Sequence, residues 1–202
     1  MNRTVILLLG TFAAISLAYG AKVFDILKGP DSGQPNKRIV VHRVGQCVGK
    51  KDLPIYLPDF WVTQHNSSHY VLNGVIMVRE DFPKGWQPTA SVKKCDGFQA
   101  SASCRPFLDN LASSDVCSML SASDAMYAKY ISSIEPKLRC PFLKGNYTVK
   151  QQIYDEVARF LPGSGSTFWE VRNTAKIGDR MIACFIIQLN ARPRKVRGSS
   201  GQ

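Results

Sequence analysis

The chain has 202 residues, a formal net charge of +11 at pH 7 and 45% hydrophobic residues. This basic charge suits either an anionic lipid surface or a merely soluble one. A nucleic-acid partner is not expected, because no stripe of Lys and Arg interleaved with aromatic residues occurs and the chain begins like a secreted protein. The length allows one domain with a substantial core, and no Pro-, Gly- or Ser-rich linker divides it.

The N-terminus has the pattern of a secretory signal peptide. Arg3 precedes an apolar run from Val5 to Ala18, and small residues stand just before a cleavage point ahead of Ala21. The run is shorter than the roughly 20 apolar residues that a membrane span needs, so a cleaved signal is favoured over a signal anchor. We therefore predict that residues 1–20 are removed and that the protein is secreted.

Cysteine content also indicates an oxidising compartment. An even number of cysteines in a secreted chain predicts three disulfides, and the absence of a CxxC motif argues against zinc. The spacing by itself leaves the pairing open. The six cysteines are Cys47, Cys95, Cys104, Cys117, Cys140 and Cys184.

Two N-glycosylation sequons are present. Asn66 is followed by Ser67-Ser68, and Asn146 is followed by Tyr147-Thr148. If they carry glycans, both asparagines must lie at the surface.

Most of the chain has the composition and alternation of β-strands. Residues 69–80 are rich in β-branched and apolar side chains, and we favour one continuous strand with a bulge at Asn73-Gly74 over a hairpin. Residues 86–95 alternate apolar and polar side chains, as a half-buried antiparallel strand does.

Residues 104–140 have a different pattern, with apolar residues spaced by three and four in FLDNL, VCSML and MYAKYISSI. This spacing predicts short helices or compact loops. Ser and Asp stand at the expected helix starts.

The C-terminal part contains the clearest hairpin. Residues 166–173 and 180–190 flank a turn at Gly178-Asp179, and the second strand is apolar on both faces, so it should be central or buried. The predicted fold is all-β: an antiparallel β-sandwich with a short helical or irregular insertion at about residues 105–135.

No catalytic signature was found. The three histidines, His42, His65 and His69, lie in neither a G-x-S-x-G nor an H-E-x-x-H frame, and the Gly-Ser repeat at 163–166 lacks the spacing of a nucleophile elbow. With all cysteines paired, no thiol nucleophile remains. We expect a non-enzymatic protein without a metal or cofactor.

Several motifs together resemble a known family. Cys140-Pro141-Phe142 is followed by Gly145 and Tyr147, Gly178-Asp179-Arg180 leads to Cys184, and YVLNG occupies residues 70–74. In these motifs and in the cysteine spacing, residues 38–190 resemble the MD-2-related lipid-recognition family, which includes the ganglioside GM2 activator and small secreted insect proteins.

The resemblance implies a β-sandwich opened into a lipid-binding cup. It implies the disulfides Cys47–Cys184, Cys95–Cys104 and Cys117–Cys140. It also implies a mobile hydrophobic rim near residues 107–120, and for any single residue of that rim simple core packing is the competing interpretation. A membrane-contacting loop is implied at Phe160 and Leu161, which strand-end packing would explain equally well. The rim residues that we predict to bind lipid are Phe107, Leu108, Leu111, Val116, Met119 and Leu120.

The resulting hypothesis is a secreted, non-enzymatic protein that holds, transfers or presents a lipid or other hydrophobic ligand. It divides the chain into a signal peptide (1–20), an N-terminal extension (21–37), the β-cup domain (38–190) and a basic disordered tail (191–202). A membrane surface or a receptor is a further expected partner. The alternative function is a disulfide-stapled extracellular module that binds a protein without a lipid cavity, and the alternative destination is the lysosome.

Overall fold

The structure is a computed structural model, and it describes residues 37–66, 69–83, 86–97, 103–112, 115–121, 132–154 and 166–193. Within these ranges the chain forms nine strands and one short helix. The predicted signal peptide and most of the predicted extension and tail lie outside them. The strands are β1 (Lys37–Gln46), β2 (Ile55–Asn66), β3 (His69–Val78), β4 (Gln87–Cys95), β5 (Cys104–Ala112), β6 (Ile134–Glu135), β7 (Gly145–Tyr154), β8 (Thr167–Ile177) and β9 (Arg180–Pro193), and the helix is α1 (Val116–Ser121).

The strands form two antiparallel sheets. The first has the order β1-β9-β8-β4-β5, and the second has the order β2-β3-β7-β6. The predicted C-terminal hairpin is confirmed, with β8 and β9 joined at Gly178-Asp179. Gly178 has a φ of +57°, a left-handed conformation that glycine adopts without steric cost. As predicted, β9 is central, with β1 and β8 as its neighbours.

In the second sheet, β3 confirms the predicted continuous strand but not the predicted bulge. It pairs with β7 without a register shift, and Asn73 and Gly74 are ordinary ladder positions. The irregularities lie instead in β2, between Tyr56 and Asp59 and near its end at Asn66. Leu72 and Val78 are buried on the interior face of β3. The apolar residues Val71, Val75 and Met77 on its other face are half-buried.

The two sheets enclose the core, which confirms the predicted β-sandwich. One cluster joins Trp169, Val171 and Ile187 of the first sheet with Leu72 and Val149 of the second. A second cluster joins Ala175 and Ile182 of the first sheet, and Trp86 just before β4, with Val78 and Tyr147 of the second sheet. The interior-facing positions of β4 and β8 alternate with exposed or half-exposed ones, as in a sandwich strand.

Three disulfides fasten the strands and their connections. Cys47 bonds Cys184, Cys95 bonds Cys104, and Cys117 bonds Cys140, the pairing that the family resemblance implies. Close to the third disulfide, the rings of Phe142 and Tyr147 stack with centroids 5.4 Å apart. The Tyr147 hydroxyl donates a hydrogen bond of 2.8 Å to the carbonyl of Leu143, which fixes the turn that leads into β7.

The helical prediction is correct for one segment and wrong for another. VCSML forms α1, and Asp115 caps it by accepting hydrogen bonds from the amides of Cys117 and Ser118 at 3.0 and 3.1 Å. FLDNL belongs instead to β5, so residues 105–112 of the predicted insertion are part of the first sheet. Of MYAKYISSI, residues 126–131 lie outside the described ranges, and Ile134 begins β6.

The strand β5 looks helical in sequence because it contains bulges. Leu111 pairs with Ala90, Leu108 with Val92 and Pro106 with Lys93, so β5 has an extra residue in each interval. Each bulge breaks the two-residue alternation and leaves the apolar side chains at helix-like intervals. The Ser91 hydroxyl donates to the Asp109 carboxylate at 2.6 Å and accepts from the Asn110 amide at 3.1 Å, which holds the second bulge.

A register shift also changes the faces of β9. The sequence places Met181 on the face of Ala183 and Ile182 on the opposite face, but the shift between Ala175 and Lys176 exchanges them. Ile182 packs with Ala183 inside the sandwich, whereas Met181 packs against Cys47 and Cys184 on the outer side.

The C-terminal boundary of the fold differs from the expectation. The strand β9 continues to Pro193, with Ala191 buried, although residues 191–193 were predicted to belong to the disordered tail.

Candidate functional site

The two sheets are not equally close on all sides. Their strands approach each other most closely along one side, where β1 lies beside β2 and β2 faces β9. We call this side the seam. The amide of Leu57 in β2 donates a hydrogen bond of 3.3 Å to the side-chain oxygen of Gln46 in β1, which fastens the seam further. The opposite side is bounded by the edge strands β5 and β6, and we call it the open edge.

The chain crosses from one sheet to the other at the open edge. It leaves the first sheet at β5, forms α1 and enters the second sheet at β6. The amide of Val116 in α1 donates to the carbonyl of Trp86, just before β4, at 3.2 Å. The Cys117–Cys140 disulfide joins α1 to the segment that leads into β7. The helix is therefore anchored to both sides of the sandwich.

The structure brings four of the predicted lipid-binding residues to the core. Phe107 and Leu108 of β5 are half-buried against the first cluster. Val116 and Leu120 of α1 are half-buried against the second. Leu111 is also half-buried, but it packs in neither cluster. The side chain of Met119 lies outside the described part of the structure.

The side chain of Phe107 packs against the ring of Trp169 in the interior. The two rings meet edge to face, with centroids 5.1 Å apart and an interplanar angle of 74°. Trp169 is fully buried on the interior face of β8. An exposed edge strand thus places one aromatic side chain against the deepest aromatic ring of the first sheet, which is consistent with either a rim residue or a core residue.

Sequence reasoning missed the residues on the facing side of the interior. Phe60 and Val62 of β2, Ile76 of β3 and Ile134 of β6 are half-buried and pack against the core. Ile76 and Ile134 contact both clusters. The alternation in residues 69–80 was the signal available for Ile76, whereas the two-residue strand that carries Ile134 has no sequence pattern of its own.

The interior also contains polar groups that sequence reasoning missed. Asn173 is 1% exposed on the interior face of β8. Among the residues that the structure describes, no hydrogen-bond partner lies near its side-chain oxygen or nitrogen, and the same is true of the indole N–H groups of Trp86 and Trp169. Buried polar groups usually have partners, so this face of the first sheet is unusual.

Other predicted site residues are only partly described. Asn146 is exposed at the start of β7, opposite Met77, so its side chain is accessible to a glycan. Asn66 ends β2, but its side chain lies outside the described part of the structure. Phe160 and Leu161, the predicted membrane-contact residues, also lie outside the described ranges.

The described ranges contain no group of three or more metal-binding side chains and no helix that is long and apolar enough to cross a bilayer. An ion pair between Arg180 and Glu80, 2.8 Å apart, lies on the surface near the β8–β9 turn. In the described residues the chemistry of the interior is therefore apolar contact with a few hydrogen-bonding groups.

Comparisons with known proteins give a likeness among solved structures alone. No family model and no curated protein matches the chain. Among solved structures, the chain is similar to a crystal structure of chicken MD-1 complexed with lipid IVa, with a TM-score of 0.32 and 9% identity. The match covers 79% of this chain and 98% of that chain. At this level the likeness assigns no ligand and no partner to this chain.

Proposed function

We propose that this protein is a secreted, non-enzymatic carrier that holds a hydrophobic ligand between its two sheets, in a cup entered at the open edge. The observation that supports the proposal best is the placement of half-buried apolar side chains. They come from both sheets and from the crossing segment, and they converge on one interior. Partly exposed apolar side chains that converge in this way provide the lining that a hydrophobic ligand requires.

The fold of the chain supports membership in the MD-2-related lipid-recognition family. The disulfide pairing has the connectivity that the motif resemblance implies, and the strands form the expected sandwich. Secretion is supported by the N-terminal signal pattern and by the three disulfides, which form and persist in oxidising compartments.

The free energy of lipid transfer favours a protein that exchanges its ligand with membranes over one that retains the ligand permanently. Burying an acyl chain of about 16 carbons gains about 0.8 kcal/mol per methylene relative to water, or on the order of 12 kcal/mol in total. A chain in a bilayer is already removed from water, so transfer from a membrane to the cup is close to balanced. The protein can therefore exchange ligand with a membrane without any catalytic group.

The outer surface gives less support to a protein-binding module. Three large apolar side chains are strongly exposed in the described residues: Val48 in the loop after β1, Trp61 in β2 and Leu143 in the segment before β7. Trp61 has Asn73 opposite it on β3. A docking face for a protein would be expected to gather such side chains into one patch.

The proposal is tested by native mass spectrometry of the oxidised protein purified from a eukaryotic secretory host, followed by organic extraction. We expect a bound mass in the range of a lipid, and uptake of a fluorescent fatty acid by the stripped protein. A clean ligand-free mass together with no uptake would overturn the carrier function and favour the protein-binding alternative.

A pair of aromatic variants locates the ligand. Phe107→Ala removes an apolar contact at the open edge and should weaken fatty-acid binding several-fold. Trp61→Ala removes an aromatic ring that is 53% exposed in β2, on the outer side, and should leave binding unchanged. Equal effects of the two variants would contradict a site at the open edge.

A further inference from the structure

Asn173 lies between the two hydrophobic clusters of the core. On the interior face of β8 it lies between Val171, which belongs to the first core cluster, and Ala175, which belongs to the second. It belongs to neither cluster. From the facing sheet, Ile76 and Ile134 contact both clusters and are only half-buried. Asn173 thus lies at the level of the described interior where the two clusters meet.

The neighbours of Asn173 on its own sheet face have no hydrogen-bonding side-chain group. Ala90 of β4 lies directly across from it and Ala175 lies two residues further along β8. Both side chains are single methyl groups. On the other side its neighbour is Phe185 of β9, which is half-buried. An amide flanked by methyl groups and an aromatic ring has no protein group on its own sheet face with which to bond.

A second buried asparagine shows what a structural role requires. Asn190 is 0% exposed, and its amide oxygen lies 2.8 Å from Nε2 of His42 while its nitrogen lies 3.5 Å from the Ser166 hydroxyl. Asn173 is buried as deeply, yet no described residue provides a partner for either of its amide atoms. A buried amide without partners is costly, so a purely structural position would favour an apolar residue of the same size.

We propose that the Asn173 amide binds a polar group of the ligand inside the sandwich. This inference depends on the carrier function proposed above and narrows the ligand class. The ligand is a long-chain or similarly hydrophobic molecule with an uncharged oxygen function in its buried part, most simply a hydroxyl. A hydroxyl donates to the Asn173 oxygen and accepts from its nitrogen, so it satisfies both atoms at once. A plain hydrocarbon leaves both unsatisfied.

The unpartnered Asn173 amide should discriminate between ligands that have a hydrogen-bonding group and ligands that lack one. A site with buried hydrogen-bonding groups rejects an analogue that lacks the matching group, because the protein groups then remain desolvated and unpartnered. The indole N–H of Trp169, four residues earlier on the same face, is a second donor for a ligand with more than one oxygen.

The test compares 1-dodecanol with dodecane, each used to displace the fluorescent probe N-phenyl-1-naphthylamine from the stripped protein. The quantity measured is the ratio of the two dissociation constants. In Asn173→Leu we expect the preference for dodecanol to fall by about ten-fold relative to the wild type. Thr174→Val is the matched control, because the next residue of β8 faces outward and pairs its hydroxyl with Thr89 at 2.6 Å. Its ratio should equal that of the wild type.

A measurement on the wild-type protein makes the test independent of the variant's folding. The side-chain amide resonances of Asn173 in a ¹⁵N–¹H spectrum should shift when dodecanol is added and stay in place with dodecane. Unchanged ratios in Asn173→Leu, or equal shifts with both compounds, would overturn the inference while leaving the carrier function intact. Failure of both compounds and of the fluorescent probe to bind would overturn the carrier function itself.

Discussion

The unpartnered amide of Asn173 should affect the stability of the protein as well as ligand binding. Its amide is desolvated without compensation from any described residue. We therefore expect Asn173→Leu to raise the free energy of unfolding of the ligand-free protein by about 1–2 kcal/mol, as measured by chemical denaturation.

The matched variant is Asn190→Leu in the neighbouring strand. It removes the contacts with His42 and Ser166 and should lower the free energy of unfolding by about 1–2 kcal/mol. Destabilisation by both substitutions would show that Asn173 has a structural partner and would contradict our assignment.

Asp115 makes a residue-scale contribution to the crossing segment. Its carboxylate accepts from two amides in the first turn of α1. Asp115→Ala should lower the free energy of unfolding by about 1 kcal/mol, the usual cost of losing an N-cap.

Asn is also a strong N-cap, so Asp115→Asn provides the control and should retain most of the stability. If it lost as much as Asp115→Ala, the negative charge rather than the capping geometry would be the important property. Denaturation midpoints of the three proteins decide between these explanations.

Residue-scale predictions from sequence succeeded where a residue's role depends on its immediate neighbours. The cap at Asp115 and the glycine turn at Gly178 are examples, because each is set by local backbone geometry. The unpartnered state of Asn173 depends on residues that are distant in sequence, such as its cross-strand neighbour Ala90. No local pattern could have indicated it.

At the scale of elements, alternation predicted β4, and hairpin chemistry predicted the β8–β9 pair. The strand β5 was not predicted, because its bulges give helix-like spacing to Phe107, Leu108 and Leu111. These bulges are set by pairing with β4. The exchange of Met181 and Ile182 between faces has the same cause in β9. Sequence periodicity reports the faces of a regular strand, so tertiary irregularities remain invisible to it.

The anchoring of α1 leads to a prediction about this element. The Cys117–Cys140 disulfide spans 23 residues of chain, and on the chain-entropy model its removal costs about 3 kcal/mol. In the Cys117→Ala, Cys140→Ala double variant we also expect faster proteolysis between β5 and β7, because one of the anchors of the crossing segment is lost.

Removal of Cys95–Cys104 is a matched comparison for this prediction. That disulfide joins paired residues of β4 and β5 and spans nine residues. Its loss should have a similar thermodynamic cost but should not direct cleavage to residues 113–139. Limited proteolysis with mass spectrometry measures the cleavage of this segment in each variant. Equal cleavage in both variants would show that the Cys117–Cys140 bond does not anchor the segment.

At the scale of the whole molecule, Cys47–Cys184 is expected to matter most for folding. It closes a loop of 137 residues, and on the chain-entropy model this corresponds to about 5 kcal/mol. The double variant Cys47→Ala, Cys184→Ala should therefore lose more stability in guanidinium denaturation than a variant without Cys95–Cys104. The reverse order would mean that native packing around each bond, rather than loop closure, sets its contribution.

The seam and the open edge together determine how the molecule can deform. In the described part of the chain, every strand ladder lies within one sheet, so the angle between the sheets can change without breaking a ladder hydrogen bond. Rotation about the seam would widen the open edge, opposed there by side-chain packing and by the Cys117–Cys140 bond. The two sheets can thus rotate relative to each other about the seam, and the Cys117–Cys140 disulfide restrains the opposite side. Under the proposed carrier function, such a body would adapt its internal volume to ligands of different size.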